Sequence, residues 1–212
     1  PPRRLLIVDD SRFMCRALES IFQQDSRFEL IGEAHDGIEA LSLIEELKPD
    51  VVTLDIQMPR MDGLTFLEKL MTHYPMPVVV VSSLAKKGGD VALKAMELGA
   101  VEVVAKPGSA YSVGDMSEQL VEKVKAAAKV KTFRKPILNS MSSGPVQTAA
   151  ISVKTTNKII AIGASTGGTD ALREVISKFP TNAPPTVVVQ HMPQNFTKAF
   201  AERVNKNAEL EV

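Results

Sequence analysis

No run of eighteen apolar residues occurs anywhere in this 212-residue sequence, and no signal-peptide pattern opens it. Direct membrane insertion is therefore not expected. Net charge is absent too: Lys+Arg equal Asp+Glu at 25 each, so nothing global points to nucleic acid as a partner. Cysteine is almost missing. The single Cys15 cannot close an internal disulfide, which fits a reducing compartment and sets the expectation of a cytoplasmic protein. Cys15 lies in a helical pattern and reads as a small core residue rather than a nucleophile. The first residue is Pro1 rather than Met, as expected of a processed or trimmed start. What is present is 44% apolar content, enough for a sizeable core, and a length suited to one large or two modest domains.

Residues 51–63, VVTLDIQMPRMDG, hold the strongest local pattern. Residues 51–54 form an apolar, β-rich run, as expected for a strand buried on both faces. Asp55 follows at its carboxyl end, where an open parallel α/β sheet places its reactive groups. Met58-Pro59 and Asp62-Gly63 mark a loop before the next helix. Asp55 is placed to be a nucleophile or a cation ligand; it could equally be a solvated strand cap.

Taken in order, strands are expected at 5–8, 30–34, 51–54, 78–81 and 101–105. Helices are expected at 12–24, 37–47, 64–73, 90–98 and 113–129. Ser11 is a candidate N-cap for the first helix, with Phe13, Ala17, Leu18 and Ile21 spaced for one buried face. Gly99 ends the fourth helix. Five β-α units predict a parallel sheet with helices on both faces. Parallel strands bring Asp9, Asp10, Asp55, Ser82 and Lys106 to one edge. Three carboxylates there repel one another, and a hard divalent cation such as Mg²⁺ would relieve that repulsion. Beside Asp55 it would also neutralise an incoming phosphoryl group. Lys106 offers a point charge and Ser82 a hydroxyl to phosphate oxygens.

The pieces LLIVDD, LDIQMPRMDG, VVVVSS and VAKP closely resemble the receiver domain of two-component response regulators. That resemblance covers residues 5–129, within a first domain expected at 1–129. It implies a five-stranded doubly wound fold with strand order 2-1-3-4-5 and Asp55 as phospho-acceptor from a histidine kinase. It implies Asp10, Asp55 and the Gln57 carbonyl as Mg²⁺ ligands with Asp9 acting through water, Ser82 as switch hydroxyl and Lys106 as the phosphate-side lysine. Val103 departs from the pattern: many receivers carry an aromatic there.

Residues 123–135, KVKAAAKVKTFRK, carry six basic residues and no acid, and read as a solvated helix end or a dock for an acidic partner. Residues 136–157 have the Ser/Thr/Pro/Gly/Asn composition of a linker, which is expected to span 130–157. A second parallel α/β domain begins at 158. Strands are expected at 159–164 and 186–190. Helices follow each, the first capped by Thr169 or Asp170 and the second by Asn195 or Thr197. Ser165 and His191 then occupy the carboxyl ends of successive strands, about 4.8 Å apart if adjacent. The small Gly-rich turn could cradle phosphate. It could instead present a serine nucleophile with backbone donors for an oxyanion, from Thr166, Gly167 and Gly168. A plain helix cap is the third possibility.

IGASTGG and VVVQHMP resemble the catalytic domain of chemotaxis response-regulator protein-glutamate methylesterases. The order receiver, linker, catalytic segment is that family's architecture. The resemblance implies Ser165 as nucleophile and His191 as general base. The reaction implied is hydrolysis of glutamyl methyl esters on chemoreceptors, with glutamine deamidation, activated by phosphorylation at Asp55 and needing no cofactor for the ester step. The family's orienting aspartate has no match, and Asp170 is not in its place. The second domain, 158–212, therefore reads as a truncated Rossmann-like fragment, with negligible esterase activity of its own. The competing expectation is a receiver-bearing signalling or binding module with a non-catalytic output segment. A transcription regulator would need a helix-turn-helix or basic output domain, and residues 136–212 show neither.

Overall fold

The computed structural model of the chain describes residues 1–82, 89–106, 113–130, 159–165, 167–192 and 194–212. The turn at Pro107, the linker from 131, the end of the basic run and the candidate donor Thr166 lie outside these. The chain divides into two units, Pro1–Pro136 and Ile137–Val212.

In the first unit, strands β1 (Arg3–Val8), β2 (Phe28–Ala34), β3 (Val51–Leu54), β4 (Val78–Ser82) and β5 (Glu102–Ala105) alternate with helices α1 (Arg12–Gln23), α2 (Gly37–Leu47), α3 (Gly63–His73), α4 (Gly89–Glu97) and α5 (Val113–Ala127). The strands pair in the order β2-β1-β3-β4-β5, all parallel, as expected. Period-two geometry sends alternate side chains to opposite faces. Leu5 and Ile7 join Cys15, Leu18 and Phe22 of α1 and Leu120 and Val124 of α5 on one side. Helices α2, α3 and α4 cover the other. Both layers are needed because β3 and β4 are buried along their whole length. The Phe22 and Phe28 rings meet edge to face with centroids 5.1 Å apart, worth about 1 kcal/mol beyond area burial.

Helix α1 differs from the expected face. Ser11 does cap it, accepting from the Met14 N–H. The buried stripe, however, is Cys15, Leu18, Ile21 and Phe22, while Phe13 is 79% exposed. Two residues ahead of Cys15, Phe13 is turned about 200° around the axis and cannot share that stripe.

Thr53 is a polar residue buried in the middle of the sheet. It stands between Ile7 and Val79 on the central strand, and its hydroxyl has no hydrogen-bond partner among the described residues. Thr53→Val should therefore stabilise the receiver by about 1 kcal/mol by removing an unsatisfied buried group of nearly the same shape. Calorimetry should show a higher Tm; a lower one would mean that the hydroxyl is bonded in solution.

The second unit contains β6 (Ile160–Ala164), α6 (Gly168–Ile176), β7 (Thr186–Gln190) and α7 (Gln194–Asn205). Strands β6 and β7 pair in parallel, Ile160 with Thr186 through Ala164 with Gln190. Leu172, Ile176 and Val204 pack with Ile162, Ala164 and Val188 on one face. On the other, Val187 and Val189 are exposed. The helix starts also differ from expectation. Gly167, in a left-handed conformation at φ 75°, precedes α6, and Thr169 is buried inside the helix. Asn195 and Thr197 lie within α7 rather than before it. In both cases the helix begins before the side chain expected to cap it.

Candidate functional site

The carboxyl edge of the receiver sheet gathers the expected polar residues because the strands end in register. Val8 pairs with Leu54, and the Asp55 N–H donates to the Val8 carbonyl at 2.8 Å, so Asp9 and Asp55 follow side by side. Ser82 pairs with Ala105, which puts Lys106 one step beyond β5 at the same edge. Carboxylate oxygens of Asp9, Asp10 and Asp55 all lie within 4.8 Å of one another. The Lys106 ammonium is 2.6 Å from Asp9 and 2.9 Å from Asp55. Asp55 is 4% exposed, and its other oxygen accepts from the Ile56 N–H at 2.8 Å. Ser82 is buried at the end of β4. Asp10 opens to solvent, as does Gln57 in the loop after Asp55. Val103 is core, paired with Val80.

Electrostatics at this edge are unbalanced. Burial pushes the Asp9 carboxyl above its ordinary range, against the pull of Lys106 and of the Ser11 N–H. Burial alone would lower the Lys106 ammonium, yet hydrogen bonds to Asp55 and Asp9 hold it above its usual value. Three carboxylates thus face one buried ammonium. The donor set is all oxygen, compact and in excess of negative charge, which fits a hard divalent cation. Asp10's exposure leaves such an ion room for its own waters. Asp9 is further held through its carbonyl, which the Cys15 thiol donates to at 3.3 Å and the His35 Nδ1 approaches at 3.1 Å. His35 was not singled out by the sequence; it directly follows Ala34, the last residue of β2, at the same edge, and strand position was the available signal. Cys15 is a core residue, its thiol pushed up to about 12 by burial and by the neighbouring Glu33 and Asp9 charges.

The loop after Asp55 is drawn tight. The Gly63 N–H donates to the Ile56 carbonyl at 2.8 Å. A Cβ on Gly63 would collide with the Asp55 carbonyl oxygen and meet the Ile56 Cα at 2.7 Å. Only glycine lets α3 begin so close beneath Asp55.

In the second unit, Ser165 and His191 follow paired residues Ala164 and Gln190. The His191 N–H donates to the Ala164 carbonyl at 2.9 Å, and the Ser165 Oγ lies 3.4 Å from His191 Nδ1. Both are exposed. Gln190, unremarked in the sequence, bridges them: its Nε2 donates to the Ser165 carbonyl at 2.9 Å and to the His191 carbonyl at 3.2 Å. The Gly168 N–H donates to the Ser165 carbonyl at 2.7 Å, so that amide is committed inside the turn. Of the basic run, Lys125 pairs with Glu122 on the helix surface, whereas Lys123 reaches the buried Glu102 of β5. No helix among the described residues is long and apolar enough to cross a membrane.

Residues 5–116 match the family model of the response regulator receiver domain, and residues 160–212 match that of the CheB methylesterase. A protein named protein-glutamate methylesterase/protein-glutamine glutaminase 2, from Syntrophus aciditrophicus (strain SB), is 51% identical over 209 residues, covering 99% of this chain and 61% of its own. Another so named, numbered 1, from Xanthomonas euvesicatoria pv. vesicatoria (strain 85-10), is 46% identical over 219 residues, covering 100% of this chain and 61% of that one. Among solved structures, the response regulator domain of Thermotoga maritima CheB aligns with a TM-score of 0.58 at 36% identity, covering 62% of this chain and 100% of that one. The chain thus spans 61% of the length of the two relatives.

Proposed function

This chain belongs to the response regulator receiver-domain family, and on that premise we propose that it is part of a phosphorylation-activated protein-glutamate methylesterase and protein-glutamine glutaminase. Its phosphodonor is a chemotaxis histidine kinase, its substrates are methylated chemoreceptors, and it works in the cytoplasm. The observation that carries the reading is the Ser165–His191 contact, on adjacent parallel strand ends in the same chain as the acidic receiver edge.

In the receiver, an Asp55 carboxylate oxygen attacks phosphorus as the bond to the donor's leaving group breaks. Lys106 is placed to meet the phosphoryl charge, and Ser82 to donate to one of its oxygens. Asp9, Asp10 and Asp55, with the Gln57 carbonyl, would hold Mg²⁺. When bound, that ion screens the negative charge gathered around the transferring group.

In the second unit, Ser165 Oγ attacks the glutamyl ester carbonyl while His191 takes the hydroxyl proton. The tetrahedral intermediate collapses to an acyl-serine, and His191 returns the proton to the departing methoxide, releasing methanol. Water then attacks the acyl carbon with His191 as base, which frees the glutamate carboxyl and restores the serine. A glutamine side chain follows the same course with ammonia as leaving group. With the Gly168 amide engaged by Ser165, Gly167 at the head of α6 and Thr166 are the candidate oxyanion donors.

Carried to the full length of its relatives, the protein should release methanol from carboxyl-methylated receptor. Acetyl phosphate with Mg²⁺ should speed that release, and Ser165→Ala should lower turnover by about 10⁴-fold or more. An unchanged rate in Ser165→Ala would remove that residue from the chemistry. Absence of methanol from the unmodified protein would favour a receiver-bearing module with a non-catalytic output segment.

A further inference from the structure

Arg60 is one of two described non-glycine residues with positive φ, at 62°, and it lies in the loop between Asp55 and α3. A left-handed arginine is disfavoured, so something must hold it. Its guanidinium reaches back to Asp36, a carboxylate with 0% side-chain exposure. Asp36 Oδ1 caps α2, accepting from Ile38 N–H at 2.7 Å and Glu39 N–H at 3.0 Å. Asp36 Oδ2 has no described hydrogen-bond partner, and the Arg60 guanidinium is the charge set against it. Next to Arg60, Met61 packs so closely on Gly37 that an added Cβ there would lie 2.8 Å from its sulfur. The loop therefore touches α2 at two consecutive residues, one by packing and one by charge.

We infer that Arg60 is a positioning residue: by pairing with buried Asp36 it fixes residues 56–62 against α2, and so sets the backbone beyond Asp55 for cation binding. This rests on the reading of the acidic edge as a Mg²⁺ site. Arg60 touches none of the carboxylates of that edge in the described contacts; it acts through the loop that carries Gln57. Its side chain is 64% exposed, so substitutions there leave the core intact.

The test is Mg²⁺ titration calorimetry on the whole chain, with amide exchange at Met61, whose N–H donates to the Pro59 carbonyl at 2.6 Å, as a metal-free readout. Arg60→Ala should weaken Mg²⁺ binding by about 10-fold, the lower end of what outer-layer partners of metal ligands contribute, and should speed Met61 exchange. Arg60→Gly removes the backbone strain together with the pair and should lose as much. Arg60→Lys keeps a cation and should recover part of the affinity. Wild-type affinity in both Arg60→Ala and Arg60→Gly would overturn the inference. So would loss in Arg60→Ala with full affinity in Arg60→Gly, because backbone strain alone would then explain it. A lower Tm in all three variants with unchanged Mg²⁺ affinity would show a merely structural pair. Failure of the unmodified chain to bind Mg²⁺ would overturn the reading of the edge, and the inference with it.

Discussion

Asp55→Ala should abolish phosphoryl incorporation from acetyl phosphate, to below about 1% of the unmodified chain, a loss of more than ~2.7 kcal/mol in transition-state stabilisation. Two other carboxylates share the edge, so the result is not trivial. Asp9 is buried and already bound to Lys106 and to the Ser11 N–H. Asp10 is exposed and lacks that ammonium. Asp55 shares the arrangement of Asp9, one oxygen held by the Ile56 N–H and the other beside Lys106, but it ends the central strand β3 with the Gln57 loop directly after it. The substitution removes one of three mutually repelling charges, so Tm should hold or rise, which separates lost chemistry from lost fold. Mass spectrometry after incubation with acetyl phosphate and Mg²⁺ reads the adduct. Equal incorporation in the variant would move the acceptor to Asp9 or Asp10.

The second large effect is expected at Gly63. Its absent Cβ faces backbone, the Asp55 carbonyl and the Ile56 Cα, rather than the tip of a yielding side chain. Gly63→Ala must displace either α3 or the end of β3, and overpacking against backbone costs about 3 kcal/mol or more. For a unit of this size that is on the order of a 10 °C fall in Tm. Because the same displacement moves Asp55, phosphorylation should slow as well. Gly32→Ala is the matched comparison. There the Cβ meets the Leu47 and Leu6 methyls at 3.0 and 3.4 Å, ends that can shift, and the cost should stay under about 1 kcal/mol. Equal Tm values for the two variants would mean that the Asp55–Gly63 approach is looser than described.

These two residues also show what the sequence made readable. Asp55 stood out because an apolar run stops at a carboxylate, and strand ends are where parallel sheets put chemistry. Asp9, Ser82 and Lys106 followed by the same logic, and in-register pairing brought them together. The strand order came from resemblance, since local periodicity does not say which strands pair. Gly63 read only as a turn; that it lies against the Asp55 carbonyl depends on how tightly the loop closes. Phe13 misled because its spacing to Ala17 and Ile21 suits a helical face as well as that of Cys15 does, and only the sheet decides which face is inward. The Arg60–Asp36 pair and the Gln190 bridge were invisible for a plainer reason. Each joins residues some two dozen positions apart, and neither partner belongs to a periodic pattern.

The chain's single thiol has a use that its burial creates. Cys15 is fully enclosed, is pushed up to about 12, and donates to the carbonyl of Asp9 at the acidic edge. Almost no thiolate exists near neutral pH, and none of the sulfur is open to solvent. A thiol-directed reagent can therefore react only with molecules whose first helix has swung away from the sheet. Its reaction rate is a clock for that opening, readable in mixtures and at low concentration. The tether to Asp9 places the clock on a member of that carboxylate cluster, with no label to engineer and no competing cysteine to remove.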